Sequence, residues 1–163
     1  MIKHFLLTTL LSLIIVSCGG DSEVDINEFD VSVSVEDLEE GRAPIDPAIN
    51  DGRFDLIWKV DDDGAFGYTA SFYLSLNSNL DTSNDILFGY VDCDAFGSCD
   101  HDNRNDVDCY FTSDLVMFCG DEDDTVEFDV DEIVDSLPLD AYIIIEACTT
   151  FDCATEAHRI RLL

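Results

Sequence analysis

Tyr142-Ile143-Ile144-Ile145-Glu146-Ala147, then Cys148-Thr149-Thr150-Phe151-Asp152-Cys153, then Ala154-Thr155-Glu156-Ala157-His158-Arg159-Ile160-Arg161-Leu162 decide the fold of this chain. Two runs rich in apolar and β-branched residues flank a six-residue loop with a cysteine at each end, which reads as a β-hairpin. Working upstream, the same period of two recurs. Phe54, Leu56, Trp58 and Val60 alternate with Asp55, Ile57 and Lys59, and Phe66, Tyr68, Ala70, Phe72, Leu74 and Leu76 share one parity. From Phe29 the alternation places Phe29, Val31, Val33 and Val35 on one face and Asp30, Ser32 and Ser34 on the other. Strict alternation of this kind predicts half-buried strands.

Between these runs the chain turns often. Residues 36–50, with Pro44 and Pro47, read as a connection or a sheet edge, Asp61-Asp62-Asp63-Gly64 as a turn, and residues 77–85 as a polar loop. Residues 86–91 predict a short strand, and residues 109–119 a hairpin turning near Ser113-Asp114. Val126, Phe128 and Val130 alternate again. Residues 131–137 are the one stretch that predicts a helical turn, ended by Pro138. About eight strands with hardly any helix predict an all-β fold: a single antiparallel β-sandwich or barrel with acidic loops.

Trp58 in an early strand, the corner Leu137-Pro138-Leu139-Asp140-Ala141-Tyr142 and the strand that follows resemble a fibronectin type III or immunoglobulin-like sandwich over residues 29–163. The resemblance implies a tyrosine at the start of the penultimate strand that packs on the preceding corner. Two features depart from it. No cysteine lies near Trp58 to form the inter-sheet bridge of immunoglobulin domains, and residues 92–125 carry a cysteine-rich acidic insertion.

The N-terminus has a different character. Lys3 precedes an apolar run of about eleven residues, too short for a spanning helix of ~20. The ending Ile15-Val16-Ser17-Cys18 resembles the lipobox of bacterial lipoproteins. That resemblance implies a signal peptide over 1–17, cleavage before Cys18, and a diacylglycerol thioether on its sulfur. Residues 18–28 then form a lipidated cysteine and flexible tether, and 29–163 the β-sandwich domain. The implied address is the bacterial cell envelope, with the protein lipid-anchored at the outer membrane on its periplasmic or surface face.

Setting Cys18 aside leaves six cysteines: Cys93, Cys99, Cys109, Cys119, Cys148 and Cys153. An even number in an exported chain reads as a disulfide framework with 15 possible pairings. Spacing favours the local solution, each cysteine with its nearest neighbour. Zinc is the competing reading, but no Cys-x-x-Cys occurs and an oxidising compartment consumes thiolates.

The chain carries 37 acidic and 7 basic residues, a net charge of −30; removal of Lys3 with the signal makes it −31. Such a charge argues against nucleic acid and anionic surfaces as partners. It suits a cation, a basic envelope protein or a merely solvated surface. Aspartate outnumbers glutamate 27 to 10, which fits loops and calcium cages better than helices. Asp100, Asp102, Asp106 and Asp108 fall at positions 1, 3, 7 and 9 of an EF-hand-type calcium loop, with Asn105 at its turn. Arg104 and Phe111 depart from that pattern, and the same residues read more readily as an acidic loop that only meets solvent.

No nucleophile elbow, zinc-binding His-Glu-x-x-His helix or phosphate-binding glycine loop is present, so catalysis has no motif to rest on. Aromatic residues supply the remaining candidates. Phe96 and Phe151 sit at the centres of the loops that Cys93–Cys99 and Cys148–Cys153 would close. A stapled loop tip with an aromatic anchor limits the entropy cost of binding; the same rings could instead fold back over the sandwich end. The expectation is a non-catalytic, lipid-anchored binding module of the envelope. The alternatives are a calcium-dependent adhesion module and an acidic inhibitor or immunity-type lipoprotein acting on a basic protein.

Overall fold

The computed structural model describes residues 24–33, 42–61, 67–94, 99, 104–120 and 127–163. Cys18, Phe96, Asp100, Asp102 and the acidic run 121–124 lie outside them. The described chain is built of strands: β1 (Asp25–Val33), β2 (Ala43–Ile45), β3 (Arg53–Asp61), β4 (Gly67–Ser75), β5 (Ile86–Asp94), β6 (Asn105–Phe111), β7 (Val116–Cys119), β8 (Phe128–Asp129), β9 (Leu139–Cys148) and β10 (Cys153–Leu162). They form two five-stranded sheets, ordered β1-β3-β6-β7-β8 and β2-β10-β9-β4-β5. Every pairing is antiparallel except β2 with β10. The fold is the all-β sandwich that the alternation predicts.

The core lies between the sheets and takes one parity of each strand. β3 contributes Phe54, Leu56, Trp58 and Val60; β4 contributes Tyr68, Ala70, Phe72 and Leu74. Aromatic rings cross the interlayer space: Trp58 meets Phe72 edge-on at 5.3 Å between centroids, and Phe88 lies 6.5 Å from both Phe72 and Phe54. Burial of each such ring is worth about 2–3 kcal/mol, so this cluster dominates the packing. The Trp58 indole N–H donates to the Tyr68 hydroxyl at 3.1 Å, which lets a polar group enter the core at low cost.

Several expectations need correction. β1 begins at Asp25 and Val24 is already buried, so the last residues assigned to the tether belong to the sandwich. Register with β3 extends the strand back to Asp25, opposite Asp61. Residues 131–137 open with the turn expected there, the amide N–H groups of Ile133 and Val134 both donating to the Val130 carbonyl, and go no further into a helix. Leu76 does not continue the β4 core stripe and is 53% exposed, because the strand ends at Ser75.

A close approach fixes the other end of β3. Gly52, at φ +69°, ends a short turn over Asn50–Gly52 and sits against the Phe111 backbone at the end of β6. A Cβ there would lie 3.0 Å from the Phe111 carbonyl carbon and overlap its oxygen, so glycine is required.

Candidate functional site

Strand directions gather several loops at one end of the sandwich. The start of β1, the end of β3, the start of β4, the end of β5 and the β9–β10 loop lie there, as the registers Asp25↔Asp61, Tyr68↔Cys93 and Thr69↔Cys148 require. All three disulfides form in the local pairing, Cys93–Cys99, Cys109–Cys119 and Cys148–Cys153, with Cα separations of 4.9, 4.0 and 4.1 Å. In β6–β7 and β9–β10 the bonded cysteines are directly opposed cross-strand partners. The even count of cysteines is thus accounted for by staples.

Phe151 stands at the tip of the β9–β10 loop and is 84% exposed. The loop that carries it is held by Thr149. Its hydroxyl accepts from the backbone N–H groups of Phe151 (3.2 Å) and Asp152 (3.1 Å), and its own N–H donates to the Asp152 carbonyl at 2.9 Å. With the ends also joined by Cys148–Cys153, the ring is presented on a fixed support. The expected location of Phe151 at a stapled tip is what the structure gives; lid-like folding back over the sandwich end is not.

Beside the tip lies a shallow depression of about 590 Å³, lined by Tyr68, Thr69, Asp92, Thr149, Thr150 and the Cys93 and Cys148 walls. Thr69 donates its hydroxyl to Asp92 at 2.9 Å. The lining offers hydroxyls and one carboxylate beside the two cysteines, which suits a polar ligand edge next to an apolar anchor. Glu146, Cys148 and Cys153 come close enough together for a metal, but the two sulfurs are bonded to each other and offer no thiolate.

The calcium loop is not formed in its second half. Asn105, Asp106 and Asp108 belong to β6, paired with β3 as Trp58↔Asn105, Ile57↔Asp106 and Asp55↔Asp108. An extended strand cannot make the left-handed turn that position 6 of the loop needs, and Asn105 is buried instead. Asp108 is taken by Arg53, whose guanidinium donates to it at 2.6 Å. That bond, with help from Asp55, holds the Asp108 carboxyl below its ordinary value. Burial, followed by the facing Asp108, pushes Asp55 up.

A second charged cluster carries no motif. Arg42, Arg159 and Arg161 converge on Asp140, with N–O distances of 3.0, 3.4 and 3.9 Å. Desolvation raises the Asp140 carboxyl, but Arg42 and then the other two arginines outweigh it and leave it below its ordinary value. Alternation of Arg159 and Arg161 in the last strand could have shown that they share a face. Arg42 is 98 residues from Asp140 and no local pattern links them.

Fold and site together define a disulfide-stapled β-sandwich in which Phe151 is an exposed aromatic loop tip. No protein family, curated protein or solved structure matches the chain.

Proposed function

We propose that this chain is a non-catalytic binding module of the bacterial cell envelope, anchored by lipid on Cys18 and built on a fibronectin type III or immunoglobulin-like sandwich. The strand order supports the fold assignment. β1-β3-β6 facing β10-β9-β4-β5 follows the order A-B-E against G-F-C-C′ of that architecture. Three disulfides support an oxidising compartment. The observation that carries the binding role is Phe151, a large apolar side chain held out in water by a loop that spends a disulfide and a threonine hydroxyl on fixing it.

The partner this tip fits presents an apolar pocket for the ring and polar groups for Thr149, Thr150 and Asp92 around it. Capture from envelope extracts with the intact chain and with Phe151→Ala tests the reading. Loss of an aromatic anchor of this size costs about 2 kcal/mol, a roughly 30-fold weaker hold. Equal capture by both proteins refutes the role of the tip. Mass spectrometry of the N-terminal peptide tests the anchor: a diacylglycerol adduct that disappears in Cys18→Ser is expected, and an unmodified Cys18 refutes it.

A second reading, an acidic module that blocks a basic protein, has its own support. The outer face of the β1-β3-β6 layer carries Asp30, Asp55, Asp61, Asp106 and Asp108 against Arg53 and Lys59. That reading requires association that weakens steeply with salt.

A further inference from the structure

The outward side of the other sheet differs in kind. Cross-strand partners share a face, so its outward residues follow from the registers in rows. Arg161 and Asp140 form one row, Arg159 and Tyr142 the next, then Ala157, Ile144, Tyr73 and Leu87, then Thr155, Glu146, Ser71 and Tyr90, and last Thr69 and Asp92 beside Cys148–Cys153. Arg42 joins the first row through Asp140. Three of the chain's five tyrosines and three of its five arginines therefore lie on one side of one sheet. Tyr90 is 59% exposed, while Ile144, though it points outward, is only 1% exposed, in the row it shares with Tyr73 and Ala157.

Tyrosine and arginine are the residues enriched at the energetic centres of protein interfaces. Among the described side chains the charges on this face also balance. Arg42, Arg159 and Arg161 match Asp92, Asp140 and Glu146, on a chain whose total is −30. The opposite outer face is acidic and repels a copy of itself. The balanced face does not, and its charges are segregated: arginines at one end, Glu146 and Asp92 at the other.

We propose that this face pairs two copies of the chain about a two-fold axis. The axis lies in the face and crosses the strands along the row of Ala157, Ile144 and Tyr73. That operation sets the row of Tyr142 and Arg159 of one copy over the row of Glu146 and Thr155 of the second copy, and the reverse. Such an interface is self-complementary, as a two-fold contact must be. Four strands of nine or ten residues about 4.8 Å apart, with the short β2 beside them, give a face of roughly 20 by 30 Å. Some 600 Å² per copy, ~1,200 Å² in all, is the lower limit for a specific interface, so the dimer is weak and reversible.

Cysteine cross-linking in the full chain tests the pairing. A residue on the axis meets itself, so Ala157→Cys is expected to give a disulfide-linked dimer under oxidising conditions. Ile57→Cys, on the opposite outer face, is expected to stay monomeric. Association through the apolar N-terminal run would link both variants alike. Leu87→Cys, half-buried on the same axis row, also meets itself and repeats the measurement if the first variant does not fold.

Adding Arg159→Glu to the cross-linking variant is expected to lower the dimer yield at least about fivefold, and adding Glu146→Arg as well to restore it. Cross-linking at both faces, at neither, or a yield indifferent to the charge swap overturns the proposal.

Discussion

Replacing Gly52 by alanine puts a methyl group where the Phe111 backbone already is. Two costs add. An alanine at φ +69° pays the left-handed penalty of about 1 kcal/mol. The overlap with the Phe111 carbonyl oxygen is with backbone, so no side chain can swing away; either the Asn50–Gly52 turn or the end of β6 must retreat. Retreat opens the adjacent Arg53↔Tyr110 register and the Gly52 N–H to Ile49 carbonyl bond, at about 1 kcal/mol for each hydrogen bond lost.

The total is about 3–4 kcal/mol, a large part of the ~5–15 kcal/mol that a domain of this size has. Urea unfolding followed by Trp58 fluorescence, with the disulfides intact, reads it directly. With a slope near ~2 kcal/mol per molar, the midpoint falls by almost ~2 M. Asp51, also left-handed at φ 54° but exposed, is the control, and Asp51→Gly is expected to stay within about 0.5 kcal/mol of the parent. A Gly52→Ala midpoint within ~0.3 M of the parent would refute the reasoning, because it would mean that the close approach is not kept in solution.

Tyr68→Phe leaves the buried Trp58 indole N–H without its acceptor and is expected to cost about 1–3 kcal/mol, measured by the same unfolding curve. Loss of Cys109–Cys119, by alanine at both positions, removes a staple worth ~3 kcal/mol and empties the fully buried Cys109 site; loss of Cys148–Cys153, whose Cys153 is exposed, is expected to cost less. If the two double variants melt alike, burial adds nothing to the chain-entropy contribution. Asp108 and Asp140 are both held below the ordinary carboxylate value, so the stability they lend is present at neutral pH and fades as the pH falls through their folded-state values. Asp55 is raised and acts in the opposite sense: ionised opposite Asp108, it opposes folding at neutral pH. Asp55→Asn is therefore expected to stabilise the protein at pH 7 by about half a kcal/mol, screened by exposure, and to give no gain below about pH 3.9, where the parent carboxyl is protonated in both states. A gain that persists at pH 3 would contradict this.

Where one side of a strand is buried and the other wet, the period of two in the sequence is enough. Phe54, Leu56, Trp58 and Val60 and their counterparts on β4 were legible for that reason, as were the staples, whose spacing matched hairpins. β6 was not. Aspartate is rare in strands and common in calcium loops, so Asp106 and Asp108 read as ligands. Yet Asn105, Val107, Cys109 and Phe111 alternate with them, and pairing with β3 overrides the local preference. β2 is three residues long, has Pro44 at its centre and pairs with a strand over 110 residues later, a contact with no local signature. The Arg42, Arg159, Arg161 and Asp140 cluster is hidden for the same reason. Phe151 was legible because the cysteines on either side of it fix the loop length.

The place of β10 in its sheet has a consequence for how the protein is made. It lies between β2 and β9, and its end is tied to β2 by the Leu163 N–H to Ile45 carbonyl bond. A chain that emerges N-terminus first cannot complete this layer until β10 is free, whatever the earlier segments have done. The cysteine pairs are only 5–10 residues apart and can close as each hairpin appears. Maturation therefore has two clocks: covalent closure that follows the chain out, and a cooperative assembly that waits for β10.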